Sequence, residues 1–491
     1  MRSLLFLVMT LSLAAHAQPL EGPWVAREFS SDFTVNNPHL CVRADSLADL
    51  FIRYQQGQTG QIVNHSVFDL DRHELAVTPH DLALPAGGSH HIEDAHASGS
   101  DWYLLVTGLT SSTSGMTGGT LFRGRNQSAQ QNVLFEDYWH GLGWYGGSML
   151  VDCHLSERLG GGVIVSGLII GAWGWEIDTW VWTVSVPHGS VTPVWACSVW
   201  PSVFIPNTDN AHAVSIEGDS ALSVFHHYGG NTAAISVFSG TLDSLPPPII
   251  FPCPLRVLKL ARTEGGRVLC LSGETWLPDD SSLHCLELAR NGACHLISAF
   301  STEFSLHAAA WHPQYGFAAT FGSPSFLLLA RIDTNGTIVH PLGVLHTRDP
   351  QHVITESDVA ITDDGRVVAA WLEQTESQPI ESRLMLASVG WDTYLEAEDS
   401  RFIPHPSSLI LSTFPNPFNH SLRIAYELPH AQEVELAVFN TLGQQVETLR
   451  NGRGEAGQHE ATWTPHCAGG LYFIRLTAGS QVKTTKVLFV P

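Results

Sequence analysis

Lysine is almost absent from this chain, which has only Lys259, Lys483 and Lys486 among its 491 residues. Arginine brings the basic total to 24, against 47 acidic residues, and the formal net charge is −23 with histidine neutral. Binding to a phosphate backbone or to an anionic lipid surface requires a cluster of basic side chains. The sequence has no such cluster, so we expect neither nucleic acid nor an anionic membrane surface as a partner.

Long apolar runs are also scarce, and the one that stands out is at the N-terminus, where Leu4 to Ala15 follow Arg2. Ala15-His16-Ala17 then make a small-x-small cleavage pattern. The run is shorter than the ~20 apolar residues of a membrane span. We interpret residues 1–17 as a secretory signal peptide, expect no transmembrane segment, and expect a charge of about −24 once Arg2 is removed.

The 3.6-residue period of amphipathic helices is missing too. Short alternating runs such as VAITD, VVAAWLE and RLMLASV are bounded by Gly, Asp, Asn and Pro. This pattern is typical of antiparallel strands joined by tight turns. The sequence therefore predicts an all-β protein.

Strand hairpins recur along the chain at intervals of 45 to 62 residues. The repeated units begin at Cys41, Glu93, Val151, Ala213, Leu258, Ala308 and Asp358. Each is followed by a second hairpin, and four strands make one propeller blade. We predict a seven-bladed β-propeller over residues 18–395. A row of β-sandwiches is the alternative, although sandwiches would not keep the same order of hairpin pairs seven times.

A polar, proline-containing stretch, residues 396–408, is interpreted as a linker. The segment 409–491 contains five further predicted strands, enough for a small immunoglobulin-like β-sandwich. Their sequences are SLRIAYEL, VELAVFNT, HEATWTP, GLYFIRLT and KTTKVLFV.

Four spaced motifs lie in this last segment. They are PNPF from Pro415, VFNTLGQQV from Val438, GQHEATW from Gly457 and GGLYFIRL from Gly469. Proline on both sides restricts Asn416 to extended backbone, while Asn440 and Gly443 suit a turn. Tyr472 to Leu476 alternate as a strand with one buried face.

With these motifs the segment resembles the C-terminal sorting domain of the type IX (Por) secretion system of Gram-negative bacteria. The resemblance implies recognition by the outer-membrane translocon, and a secreted or outer-membrane-surface location. It marks as sorting residues Pro415, Asn416, Pro417, Phe418, Asn440, Gly443, Gly470 and Tyr472. This chain ends in LFVP, whereas members of the family often end on a basic residue. The resemblance implies nothing about the propeller.

Catalytic motifs are mostly missing from the propeller. We find no G-x-S-x-G elbow, H-E-x-x-H helix, P-loop or EF-hand loop, and sialidase-type Asp boxes are reduced to turns such as Thr362 to Trp371. Propeller active sites are assembled from separate blades, so the enzyme question stays open. We predict no cofactor and a recognition protein for glycan or protein. The alternative is a hydrolase or lyase acting on extracellular polysaccharide.

Tryptophan is concentrated in one region, where eight of the 15 indoles fall within 62 residues. Trp144, Trp173 and Trp175 lie beside glycines in predicted loops on one propeller face, and indole faces suit sugar rings or peptide side chains. Trp180 and Trp182 lie in a predicted strand and are assigned to structure. The alternative for the loop tryptophans is that they fill gaps between blades.

The 26 histidines outnumber the 24 other basic residues, so mildly acidic pH would remove much of the negative charge and lower solubility. His39, His91, His212 and His307 fall near the starts of predicted innermost strands, where they could line one mouth of the central channel. Such imidazoles can bind a metal or an anion. The alternative is a turn feature shared by the repeats, and we predict no metal site.

Two structural expectations complete the sequence-based picture. Cys270 and Cys285 flank the loop ETWLPDDSS symmetrically and could face each other across one hairpin, so we predict that the two are neighbours, bridged or not. The seventh unit lacks a good outer strand, whereas Trp24 to Val35 make a strand with no blade of their own. We predict that this segment pairs with Arg383 to Val389 and closes the ring, which would cover an open sheet edge.

Overall fold

Every regular element in the described part of the chain is a β-strand. The all-β class predicted from the sequence is therefore confirmed, and no described residue belongs to a helix that could cross a membrane. The computed structural model describes residues 20–490 except 57–60, 85–89, 110–115, 126–127, 139–146, 174–175, 200–207, 217–219, 228–231, 240–248, 253–255, 274–280, 290–292, 303, 377, 396–409, 415–417, 429–431, 442, 455–456 and 480. The expected signal peptide and linker lie outside these residues.

Up to residue 390 the described strands form seven four-stranded antiparallel sheets, here called blades 1 to 7. Blade 1 contains β2 (Phe33–Val42), β3 (Leu47–Gln56), β4 (Ile62–Asp69) and β5 (Glu74–Asp81). Blade 2 contains β6 (His90–Ser98), β7 (Asp101–Leu109), β8 (Met116–Arg125) and β9 (Ser128–Tyr138). Blade 3 contains β10 (Gly147–Glu157), β11 (Gly162–Trp173), β12 (Glu176–Pro187) and β13 (Trp195–Val199).

The remaining blades repeat this order. Blade 4 contains β14 (Thr208–Ser215), β15 (Ser220–His227), β16 (Thr232–Ser239) and β17 (Ile249–Pro252). Blade 5 contains β18 (Arg256–Arg262), β19 (Val268–Gly273), β20 (Ser281–Leu288) and β21 (Cys294–Thr302). Blade 6 contains β22 (Ser305–His312), β23 (Gly316–Gly322), β24 (Phe326–Asp333) and β25 (Ile338–Thr347). Blade 7 contains β26 (His352–Ile361), β27 (Arg366–Thr375), β28 (Ser382–Gly390) and β1 (Glu21–Phe29).

The blades are arranged in a closed ring. The inner strands β2, β6, β10, β14, β18, β22 and β26 each contact the next, and β26 contacts β2. A hydrophobic core lies between each pair of neighbouring blades, for example Phe51 with Trp102 between blades 1 and 2. Because second strands are covered on both faces, β19 and β23 are buried throughout, whereas the outer strand β5 is mostly exposed. The architecture is that of a β-propeller.

The N-terminal segment closes the ring as predicted. β1 pairs antiparallel with β28, from Glu21 opposite Ser388 to Phe29 opposite Ser382, and so supplies the outer strand of blade 7. The prediction extended this strand too far, because Phe33 to Val35 already belong to β2. A turn at Ser30, whose C=O accepts from the Phe33 N–H at 3.1 Å, separates the two strands.

Arg366 makes a second connection between blade 7 and blade 1, whose junction is here called the seam. From the start of β27 its guanidinium donates to Ser46 Oγ at 2.9 Å and lies 2.8 Å from Asp71 Oδ1. Both partners belong to blade 1, so hydrogen bonds as well as strand pairing join the first and last blades.

Cys270 and Cys285 are neighbours on adjacent strands, as predicted, although they do not face each other. Cys270 in β19 and Cys285 in β20 lie on paired strands, but Cys270 is opposite Leu286 and Cys285 is opposite Leu271. A shift of one residue turns side chains to opposite faces. Cys270 therefore packs between blades 4 and 5, Cys285 packs between blades 5 and 6, and the two do not face each other.

The C-terminal segment forms two further sheets. One contains β29 (Ile410–Phe414), β30 (Leu422–Leu428) and β33 (Gly457–Trp463). The other contains β32 (Gln445–Gly454), β31 (Gln432–Asn440), β34 (Gly470–Ala478) and β35 (Gln481–Phe489), in that spatial order. One hydrophobic core draws residues from both sheets, including Ile424, Trp463 and Ile474. All five predicted strands are present, and β29 and β32 were not predicted.

The seam can be tested at Phe29, the last residue of β1. Its buried ring packs against Phe33 and Tyr54 at centroid distances of 6.3 and 5.9 Å. We expect Phe29→Ala to lower the free energy of unfolding of the propeller by about 3–5 kcal/mol, measured by denaturant titration. Val25→Ala on the same strand is the control, since Val25 is 47% exposed. Equal effects of the two substitutions would contradict a packing role for the seam.

Glu373 in β27 offers a pH test within blade 7. Its buried carboxylate accepts hydrogen bonds from His346, Trp371 and Arg383 at 2.7, 3.0 and 2.8 Å. Burial raises the pKa of Glu373, but these donors outweigh it and lower the pKa to about 2. Because the folded pKa is depressed, the resulting stability is present above the unfolded pKa near 4.5 and is lost as pH falls toward 2.

We expect Glu373→Gln to remove about 3 kcal/mol of stability at neutral pH and to flatten the acid limb of the stability profile. Thermal melts from pH 7 to 2 would measure this. Glu376→Gln, at a 52% exposed side chain, is the control. If the stability of Glu373→Gln fell with pH as steeply as that of the parent protein, the hydrogen bonds to Glu373 would not be the source of the acid sensitivity.

Candidate functional site

Seven equivalent positions face one level of the propeller channel. In each blade, a residue at or just after the end of the inner strand pairs with a residue at or just before the start of the second strand and closes the first hairpin, as Arg43 does with Leu47. These hairpin-closing residues are Arg43, Ser98, Arg158, Ile216, Thr263, His312 and Thr362. Counting four residues back gives the set that we call the channel ring: His39, Asp94, His154, His212, Lys259, Ala308 and Asp358.

A β-bulge precedes or adjoins this ring in every blade. Each inner strand has one extra residue relative to its partner, for example between Ile92 and Asp94 or between Val257 and Lys259. Bulges bend a strand and redirect side chains. Their repetition helps to explain why polar side chains at one level can meet inside the channel.

The ring side chains contact one another. Lys259 Nζ lies 3.9 Å from Asp94 Oδ2, His39 Nδ1 lies 3.8 Å from Asp358 Oδ2, and the His154 and His212 rings stack at 3.7 Å. Asp94 is in blade 2 and Lys259 is in blade 5, so their ion pair crosses the channel. Six of the seven ring positions thus carry ionisable groups in direct contact.

The two ring aspartates also hold neighbouring blades together. Asp94 Oδ2 accepts the Leu155 N–H of blade 3 at 2.7 Å, and Asp358 Oδ2 accepts the Leu40 N–H of blade 1 at 2.8 Å. In both cases Oδ1 accepts the next N–H along its own strand at 2.8 Å. The same residue type at the same position therefore makes the same link, and at Asp358 the link crosses the seam.

The two carboxyl groups nevertheless differ in acidity. Burial alone raises the pKa of Asp94, but Lys259, His154 and the Leu155 N–H outweigh it and hold the pKa below its ordinary value. Burial raises the pKa of Asp358 above its ordinary value, despite His39 and the Leu40 N–H. The lysine beside Asp94 is the main difference between these environments.

A cavity of about 570 Å³ opens on the hairpin side of the ring, lined by the ends of all seven inner strands and their turns. Its wall includes His96, Ser156, Trp311 and His312. His96 Nε2 is buried and has no hydrogen-bond partner among the described residues. Burial lowers the pKa of His96 to about 4, with Lys259 adding to this effect, so the imidazole is neutral at pH 7.

The four histidines predicted to line one mouth do not lie at one level. His39 and His212 belong to the ring. His307 lies one residue before it, with Nδ1 3.1 Å from Ser357 Oγ and its ring against Gly322, where a Cβ would lie 2.0 Å from the imidazole. His91 lies near the start of β6, with Nδ1 3.1 Å from Arg53 Nη1.

Burial lowers the pKa of both His91 and His307. Within the described residues, no three or more His, Cys, Asp or Glu side chains are placed to hold a metal ion. The sequence reasoning missed His154, Asp94, Lys259 and Asp358. A fixed offset of four residues from each hairpin would have identified all of them.

The tryptophan prediction falls largely outside the described residues. Trp144 and Trp175 are not among the described residues. Trp173 is the last residue of β11, and its side chain is not described. Trp182 is buried between blades 2 and 3, which confirms its assignment to structure.

The PNPF motif ends at a residue that fixes the end of the chain. Phe418 is buried and packs against Trp463 and Phe489 at centroid distances of 5.5 and 5.1 Å. Its N–H donates to Leu488 at 3.0 Å, and its C=O accepts from Val490 at 2.8 Å. Pro415, Asn416 and Pro417 lie outside the described residues.

The other motifs also have a structural basis. Asn440 C=O accepts the Gly443 N–H at 3.0 Å, and Gly443 has a φ of +75°, so the predicted turn between β31 and β32 is confirmed. Tyr472 follows Gly470 in β34 and donates its hydroxyl hydrogen to Ala468 C=O at 2.6 Å. Tyr472, Ile474 and Leu476 alternate into the core, also as predicted.

Comparison with protein families assigns this segment. Residues 412–490 match the family described as "Secretion system C-terminal sorting domain". This segment is a sorting domain. The sorting domain directs export through the type IX secretion pathway, to the cell surface or beyond it.

Several solved structures are similar to this chain at low sequence identity. It is similar to a prolyl endopeptidase at 12% identity and a TM-score of 0.38, covering 82% of this chain and 54% of the peptidase. It is similar to the NanB sialidase from Streptococcus pneumoniae at 7% identity and a TM-score of 0.38, covering 76% and 70%. A protein of unknown function from Dyadobacter fermentans gives 9% identity and a TM-score of 0.39, covering 75% and 99%. No curated protein sequence matches the chain significantly.

Phe418 provides a test of the sorting domain. Because Phe418 connects the PNPF motif to the last strand, we expect Phe418→Ala to destabilise the sorting domain by about 3–5 kcal/mol. The exported fraction should fall accordingly in a secretion assay in a strain with this pathway. Val482→Ala is the control, since Val482 is 56% exposed. Normal export and melting of Phe418→Ala would contradict this role.

Proposed function

We propose that this protein is an exported recognition protein that binds an extracellular glycan or protein through the cavity on the hairpin side of its channel ring. One observation carries the proposal: the 570 Å³ cavity contains polar groups whose hydrogen-bonding capacity is not met. The cavity volume is within the ~300–1,000 Å³ typical of ligand pockets. His96 Nε2 has no partner among the described residues, and Lys259 Nζ makes only contacts of 3.4 Å to Leu155 O and 3.9 Å to Asp94.

A polysaccharide hydrolase is the second candidate, because of the two ring aspartates. Carboxyl groups whose pKa values are pushed apart are the arrangement used for acid and base in glycoside hydrolysis. However, each carboxylate already accepts two backbone N–H groups. Such carboxylates are held in place by the fold, which favours a structural and electrostatic role over proton transfer.

The predicted tryptophan surface remains a separate proposal. Trp173 ends β11, at the end of that strand away from the cavity, while Trp144 and Trp175 are not among the described residues. These three tryptophans would supply a second contact surface for a long ligand. None of the four predicted histidines lines the cavity, although His39 and His212 belong to the channel ring and His39 contacts Asp358, which does line it.

The proposal predicts ligand binding that depends on cavity residues. Purified mature protein would be applied to a glycan array and to a panel of extracellular proteins, in parallel with Trp311→Ala. An aromatic contact at the centre of an interface contributes about 2 kcal/mol or more, so we expect affinity to fall at least ~20-fold. His295→Ala, on the exposed surface of outer strand β21, should bind normally.

A reducing-sugar assay on every bound polysaccharide separates the two candidates. Binding without release of reducing ends supports the recognition protein. Turnover that is lost in both Asp94→Asn and Asp358→Asn would favour the hydrolase. Binding that is unaffected by Trp311→Ala would place the site elsewhere.

A further inference from the structure

The channel ring gives the cavity a polar floor. The Lys259–Asp94 ion pair crosses the channel between blades 5 and 2, and Lys259 Nζ also reaches Leu155 O of blade 3 at 3.4 Å. A ligand that enters from the hairpin side therefore meets Lys259 and Asp94. Lys259 is the only lysine between residues 18 and 395, where the other basic side chains apart from histidine are arginines.

The floor offers ammonium donors that are not fully used. The four oxygens of Asp94 and Asp358 each accept a backbone N–H. The Lys259 ammonium has three N–H donors, and its contacts to Leu155 O and Asp94 are both long. A ligand that offers acceptor oxygens would complete the coordination of this ammonium.

The charge of the lining argues against a strongly anionic ligand. Five acidic side chains line the cavity, namely Asp94, Glu157, Glu264, Asp358 and Asp363. Three basic ones do so, namely Arg158, Lys259 and Arg262. His96 is neutral at pH 7, so the acidic excess is not offset there. An uncharged oxygen-rich group satisfies Lys259 without repulsion from these carboxylates.

One wall of the cavity is flat and apolar. Trp311 in β22 is partly exposed and lies 4.6 Å from the Phe317 ring, which supports it from behind. Three consecutive alanines, Ala308 to Ala310, precede it, and Ala308 occupies the ring position of blade 6. Ala309 and Ala310 line the cavity beside Trp311, and an indole face suits the apolar face of a sugar ring.

We propose that the cavity binds the uncharged, hydroxyl-rich end of a carbohydrate chain, with its ring against Trp311 and its hydroxyl groups directed to Lys259 and His96. Hydroxyl groups both donate and accept hydrogen bonds. They therefore suit an ammonium and a neutral imidazole together. This inference rests on the proposed function and specifies its ligand as neutral carbohydrate, in place of an acidic glycan or a peptide.

Matched ligands test the inference with the mature protein. Isothermal titration would compare methyl glucoside, galactoside, mannoside and xyloside, and their short oligomers, with methyl glucuronide and galacturonide, and with trilysine peptide. We expect at least one neutral series to bind, and its matched uronide to bind at least tenfold more weakly. Lys259→Met, His96→Leu and Trp311→Ala should each weaken neutral-sugar binding about tenfold or more, while His295→Ala should not.

The outcomes separate this inference from the proposed function. Tighter binding of a uronide or of trilysine, still sensitive to Trp311→Ala, would overturn the neutral-carbohydrate inference and leave the recognition site standing. Neutral-sugar binding that is insensitive to all three cavity substitutions would overturn the placement of the site. Binding of none of these ligands would overturn the inference, and a negative result on the glycan and protein panels would then overturn the proposed function too. Thermal melts of each variant would show that it is folded, and His96→Leu provides a test in which the Lys259–Asp94 pair is kept.

Discussion

Closure of the ring is the constraint on which the rest of the propeller depends. Second strands such as β27 are largely buried because a neighbouring blade covers each face, and for the first and last blades this holds only if blade 7 meets blade 1. The seam is correspondingly reinforced. Strand pairing of β1 with β28, the Asp358 link to Leu40 and the Arg366 contacts to blade 1 all act at the same interface.

In the channel ring, residues that stabilise the fold also create a charged site. An aspartate at the ring position satisfies an N–H of the next blade, which unpaired and buried would cost about 1–3 kcal/mol. The same carboxylate then brings negative charge into the channel, where Lys259 and the imidazoles assemble around it. Residues that hold the blades together are therefore also residues that a ligand would meet. This overlap limits how far the site can vary without opening the ring.

Much of the fold was predictable because it repeats. The seven hairpins, the closing strand and the five strands of the sorting domain all follow from alternation and turn residues. Cys270 and Cys285 are neighbours as predicted, but they do not face each other, because symmetry about a loop does not fix the register and a shift of one residue turns the side chains to opposite faces. The four predicted histidines do not share one offset from the first hairpin of their blades. Proximity to a strand start does not define a level in the channel, and the bulges shift it from blade to blade, so that His39 and His212 meet the ring while His91 does not. Lys259 was recognised only as a rare residue, because its partner Asp94 lies three blades away.

The origin of β1 has a consequence for the order in which the protein can be assembled. A chain made from its N-terminus can form blades 1 to 6 as their hairpins emerge, since their strands are consecutive in sequence. Blade 7 cannot be completed in this way, because its outer strand is synthesised first and its inner strands last, and the linked residues Leu40 and Asp358 are 318 positions apart. Until that point β1 has no partner, and the exposed faces of blades 1 and 6 have none either. The propeller thus acquires its final two interfaces in a single late event, and only after residue 390 is available does a closed channel exist at all.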